Sequence, residues 1–145
     1  MKIAIINGPN LNMLGIREPE IYGAETYPML VEKIKNYCKE KDVDVYLYQS
    51  NHEGELVDII QQCYFDKIEG IVINPGAYTH TSIALLDAIK AVNIPTCEIH
   101  ISDLAKRDEF RQISYIRPVC VKTVVGHGTD GYLECIDFLV QNHGG

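Results

Sequence analysis

Five short apolar runs punctuate the chain, at Lys2 to Ile6, Val43 to Tyr48, Ile68 to Ile73, Thr96 to Ile101 and Val119 to Val125. They are rich in β-branched residues and end in polar or Gly/Pro clusters, which predicts strands. Between them the hydrophobic period lengthens to that of a helix. Leu30, Val31, Ile34, Tyr37 and Cys38 share one face, and Leu56, Ile59, Ile60 and Cys63 share another. Leu85, Ala88, Ile89 and Val92 repeat the pattern, as do Tyr132, Ile136, Leu139 and Val140. Pro28 suits a first helical turn, and Glu53 and Glu55 suit the positive end of a helix dipole. Strand and helix alternating throughout imply a parallel sheet covered on both faces. The expected fold is α/β, a flavodoxin-like three-layer sandwich on a five-stranded parallel sheet, with residues 1–145 as a single catalytic domain. There is no linker and no internal repeat, and the charged stretch from Asp103 to Arg117 is read as a short helix and loop.

The chain has 145 residues and a net charge of -7, so one core suffices and the surface lacks the concentrated basic charge that nucleic acid or an anionic membrane requires. Cys38, Cys63, Cys97, Cys120 and Cys135 are widely spaced and odd in number, with no CxxC pair. That pattern points to reduced thiols in a cytoplasmic protein. The opening run meets Asn7, Gly8 and Pro9 too soon for a signal peptide, and no apolar run approaches a membrane span.

Ligands in such a sheet bind beyond the carboxyl ends of the strands. There the chain carries Asn7 to Asn12, Gln49 to Glu53, Asn74 to His80, Glu98 to Ser102 and Gly126 to Gly128. His52, His80, His100 and His127 thus share one edge, leaving only His143 in the tail. Each residue has a bland explanation as a turn former or helix cap, but their convergence favours a functional edge. The loop from Asn7 to about Glu25 is long, carries Arg17 and Tyr22 between Gly15 and Gly23, and reads as a lid or binding loop.

A tyrosine base must ionise. Its ordinary pKa of about 10 must fall by about 3 pH units, worth roughly 4 kcal/mol, and a nearby guanidinium supplies about 1 to 3 of those units. Arg17 is the candidate, with Arg107 or Arg111 as a second cation. His100 suits a general acid, with Glu98 two residues earlier on the same strand face. Asn10, Asn12 and Asn74 offer amides for an enolate oxygen, a water or substrate hydroxyls, and Arg111 suits a carboxylate. Base, acid, oxyanion holder and carboxylate anchor together describe an elimination beside a carbonyl.

Other motifs are weaker. Gly126, Gly128 and Gly131 form GxGxxG, but too little chain follows for the rest of a dinucleotide-binding unit, and a tight turn into the last helix explains them better. No P-loop is present, Asn74 stands where a phosphoacceptor aspartate would, and no histidine pair has HExxH spacing for zinc.

INGPNLNMLG at Ile6 to Gly15, REPEIYG at Arg17 to Gly23, QSNHEGEL at Gln49 to Leu56, INPGAYTHTSIAL at Ile73 to Leu85, EIHIS at Glu98 to Ser102 and FRQISY at Phe110 to Tyr115 resemble the type II 3-dehydroquinate dehydratases. The resemblance implies dehydration of 3-dehydroquinate to 3-dehydroshikimate in aromatic amino-acid biosynthesis, without cofactor or metal. Tyr22 would remove the C2 proton with Arg17 beside it, Asn10 would position a water on the enolate, and His100, backed by Glu98, would protonate the departing hydroxyl. Asn12 would support them, while Asn74, His80, Asp87, Ile101, Ser102 and Arg111 would bind substrate. A homododecamer built from trimers is also implied, with Asp87 reaching a neighbouring site. Asp103, Ala105 and His127 depart from the family's usual asparagine, histidine and apolar residue. The same step in quinate breakdown, a silent binding protein for a cyclic hydroxy acid, and a zinc enzyme at the same edge are the alternatives.

Overall fold

The computed structural model describes residues 1–16, 20, 24–103 and 113–144. Its five strands are β1 (Lys2–Asn7), β2 (Asp44–Gln49), β3 (Gly70–Asn74), β4 (Thr96–His100) and β5 (Lys122–Val125). Among the described residues four α-helices alternate with them: α1 (Tyr27–Glu40), α2 (Glu53–Phe65), α3 (Ile83–Val92) and α4 (Asp130–Gln141). All pairings are parallel and the order is β2-β1-β3-β4-β5, so the flavodoxin-like sandwich expected from the sequence is present.

Alternation along the strands builds two cores. Ile3 and Ile5 of β1 face α1 and α4 together with Val72, Cys97 and Ile99, whereas Ala4 and Ile6 join Ile71 and Ile73 against α2 and α3. Glu98 and His100 alternate with Cys97 and Ile99, so β4 turns both toward the second core. Thr26 caps α1 through Met29 N–H at 3.3 Å, and Ser82 caps α3 through Leu85 N–H at 3.0 Å.

Three strands start later than expected for identifiable reasons. Val43 and Ile68 precede their strands because each closes a helix: Asp42 and Lys67 are left-handed, and the following N–H groups bond back to Cys38 and Cys63. This is a Schellman closure, with the apolar residue plugging the helix end. Val119 lies in a 3-10 turn (Arg117–Val119) that opens with Pro118 near its first position, so β5 begins only at Lys122. On α4, Cys135 completes the buried stripe with Tyr132, Ile136 and Leu139, and Val140 faces outward, 37% exposed. Val31, Tyr37 and Ile59 are only partly buried. His143 pairs with Glu69 at 2.9 Å.

Candidate active site

The chain leaves β1 to form β2 on one side and crosses to β3 on the other, so the switch point lies between the ends of β1 and β3. Asn7 and Asn74 sit there as register partners. The following turn is tight: Gly8 N–H bonds to Asn74 O at 2.7 Å, and a Cβ on Gly8 would lie 2.5 Å from Pro75 O.

A neutral network lies beneath this point. The Tyr132 hydroxyl donates to Asn7 Oδ1 at 2.6 Å and accepts from Asn74 Nδ2 at 3.0 Å. Asn74 Oδ1 accepts from Gly76 N–H at 3.1 Å. Asn74 is therefore buried and largely committed to holding the turn, rather than fully open to a ligand as a binding role alone would suggest. Burial pushes the Tyr132 phenol well above its ordinary value despite the bond from Asn74. Tyr27, bonded to Asn7 Nδ2 at 3.5 Å, is also raised, by burial first.

Above it, Asn10 adopts a left-handed backbone (φ 70) and its side chain is exposed. Its N–H donates to Asn51 Oδ1 at 3.0 Å, which accepts from Gln49 Nε2 at 3.1 Å. Gln49 Nε2 also reaches Gly8 O at 3.2 Å and Asn12 Oδ1 at 3.4 Å. Asn10 and Asn12 are thus tied to the end of β2. The far end of the long loop is fastened as well: Thr129 donates to Glu25 at 2.8 Å, and Lys33 Nζ donates to Thr129 Oγ1 at 2.8 Å.

The second network is charged. His100 Nε2 lies 2.5 Å from Glu98 Oε2, and both residues are buried. The same oxygen accepts from Ser114 Oγ at 2.7 Å and Thr79 Oγ1 at 3.2 Å. Oε1 accepts from Thr123 Oγ1 at 3.4 Å and faces Arg117 Nε at 3.5 Å. Burial alone would raise the Glu98 pKa. The bond and charge of His100, the bond from Ser114 and the charge of Arg117 outweigh it and hold the carboxyl at about 2. Glu98 is therefore an anion at any working pH.

Tyr22, Arg17, Arg107 and Arg111, and also Ala105, lie outside the described residues. His80 stands in the 3-10 turn after β3, its Nδ1 2.6 Å from Ile113 O. The Ile101 side chain is buried and its carbonyl accepts from Gly128 N–H at 3.0 Å, while Ser102 is half-buried. Asp87 is exposed on α3. Asp103 packs against Gly126, whose added Cβ would meet Asp103 Cβ at 3.3 Å. His127 pairs with Glu134 at 2.8 Å. Gly126 and Gly128 have positive φ, and Gly131 lets α4 approach Ile99, so the three glycines serve the turn into the helix. Among the described residues no cluster of three His, Cys, Asp or Glu could hold a metal.

Of the groups around Glu98, sequence reasoning singled out only His100. Thr123 was detectable as a polar residue in an apolar strand, in register with Glu98. Ser114 and Arg117 carry no such signal, because their approach depends on the path of an irregular segment.

Residues 1–140 match the family model described as dehydroquinase class II. A 3-dehydroquinate dehydratase of Clostridium perfringens (strain 13 / Type A) is 51% identical over 143 residues, covering 99% of this chain and 97% of that protein. A type II dehydroquinase structure from Butyrivibrio crossotus DSM 2876 superposes with a TM-score of 0.96 at 55% identity, covering 97% of each chain. One from Propionibacterium acnes gives 0.93 at 37% identity, with the same coverage.

Proposed function

Because the chain belongs to the class II dehydroquinase family, we propose that the carboxyl edge of its sheet works with Tyr22 as base, Arg17 beside it, Asn10 at the enolate and His100 as acid. The enzyme is a carbon–oxygen lyase that removes water from 3-dehydroquinate to give 3-dehydroshikimate, in the route to aromatic amino acids.

The observation that carries the proposal is the buried, ionised Glu98 on His100 Nε2. An anion there makes Nε2 the N–H donor and fixes the ring, leaving Nδ1 as the nitrogen that delivers a proton. The Tyr22 phenolate takes the C2 proton and the electron pair moves into the carbonyl as an enolate. Collapse of the enolate expels the C1 hydroxyl, which leaves as water with the proton of His100. Tyr27 and Tyr132, the phenols bonded at the switch point, are both raised by burial and keep their protons, so neither serves as the base. Asn12 supports Asn10, and Asn74, His80, Asp87, Ile101, Ser102 and Arg111 bind substrate. Conjugated-enone absorbance tests the roles: Tyr22→Phe and His100→Asn keep fold and ligand binding and lose nearly all turnover. A fully active Tyr22→Phe variant overturns the base.

The working assembly in this reading is a homododecamer built from trimers, and the exposed position of Asp87 suits a role at a neighbouring site. Light scattering that finds an active monomer would overturn it. The five free cysteines suit the cytoplasm, which cell fractionation checks. Among the described residues no helix is long and apolar enough to cross a membrane.

A further inference from the structure

Glu98 divides its oxygens between an imidazole and a guanidinium. His100 Nε2 takes Oε2 at 2.5 Å, and Arg117 Nε faces Oε1 at 3.5 Å. A carboxylate shared in this way stabilises imidazolium less than one left to histidine alone, because the guanidinium repels the ring's positive charge and draws on the same anion. We propose that Arg117 is a positioning residue for the acid: acting through Glu98, it loosens the hold of His100 on its proton and readies that proton for transfer. The consequence for rate rests on His100 being the acid, whereas the charge coupling does not.

The geometry singles out Arg117. The hydroxyls of Thr79, Ser114 and Thr123 also surround Glu98, but they are neutral and serve to orient it. Cys120 feels the same carboxylate, yet burial and the Glu98 charge push its thiol up to about 12, so it carries no charge. Among the described residues, the ion pairs of Glu98 are with His100 and Arg117. Arg117 comes from the 3-10 turn before β5, and guanidinium stays charged across the working pH range. Its side chain is 44% exposed, so water screens the coupling and the effect is modest.

The experiment is an NMR titration of the His100 ring in the unliganded protein, paired with kcat against pH, for wild type, Arg117→Gln and Arg117→Lys. In Arg117→Gln the His100 midpoint rises above that of wild type. The alkaline limb of kcat moves with it while KM holds. Arg117→Lys keeps the charge and titrates like wild type. An unmoved midpoint in Arg117→Gln, or an equal rise in Arg117→Lys, overturns the proposal. A midpoint that moves while the rate profile stays fixed upholds the coupling and removes His100 from the acid's role.

Discussion

Two polar networks lie under the same sheet edge, one neutral and one charged. Below β1 and β3, Asn7, Tyr132 and Asn74 satisfy one another with no ionised group. Below β4, a fully buried carboxylate gathers three hydroxyls, a guanidinium and an imidazole. Burial acts on both and the outcomes are opposite. The phenol of Tyr132 is driven upward and stays protonated, whereas Glu98 is held at about 2 because its donors outweigh desolvation. A neutral network can fix a turn in place, but only the charged one sets a full negative charge against a neighbouring ring.

Removing the charge while keeping the shape is the strongest way to break this contrast. Glu98→Gln lowers kcat by roughly 100-fold or more, the scale of lost general acid catalysis, with KM little changed and circular dichroism intact. A variant with wild-type kcat would make the two networks equivalent props. Acid unfolding comes next. The Glu98 pKa falls from 4.5 to about 2 on folding, so the associated stability is fully present above pH 4.5 and is lost as pH drops toward 2. That contribution is on the order of 3 kcal/mol, and urea titrations across the window should show it in wild type and not in Glu98→Gln.

Tyr132→Phe probes the neutral side. It strips the buried Asn7 Oδ1 and Asn74 Nδ2 of a shared partner, which costs about 2 kcal/mol and lowers Tm by roughly 7 °C. Turnover falls far less than in Glu98→Gln, because no charge has been lost. If turnover falls as far as in Glu98→Gln, positioning at the switch point matters as much as the proton store.

The parts of this architecture legible in the sequence were those written in local pattern. β-Branched runs marked all five strands, and helical periodicity marked the buried residues of α3 in full. Val43 and Ile68 misled because an apolar plug after a helix looks like the first residue of a strand. Strand alternation was enough to pair Glu98 with His100, since residues two apart share a face. It could not reveal that Ser114 and Arg117 arrive at the same carboxylate from 16 and 19 residues away. Nor could it show that Asn74 is bonded to Tyr132, 58 residues later. Asparagine after a strand reads the same whether it faces a ligand or closes a turn.

The smallest expected effect sharpens the comparison by repeating its chemistry in water. His127 and Glu134 form a second histidine–carboxylate pair at the same edge, at 2.8 Å, with side chains 57% and 44% exposed. The contact lies within the 2.5 to 3.5 Å range found inside the charged network, but bulk solvent competes for both partners and screens their attraction. Glu134→Gln should therefore leave kcat unchanged and shift Tm by no more than roughly 2 °C, a shift that shrinks as salt rises. If that variant were to slow turnover as Glu98→Gln does, burial would not be what separates a proton store from a surface contact.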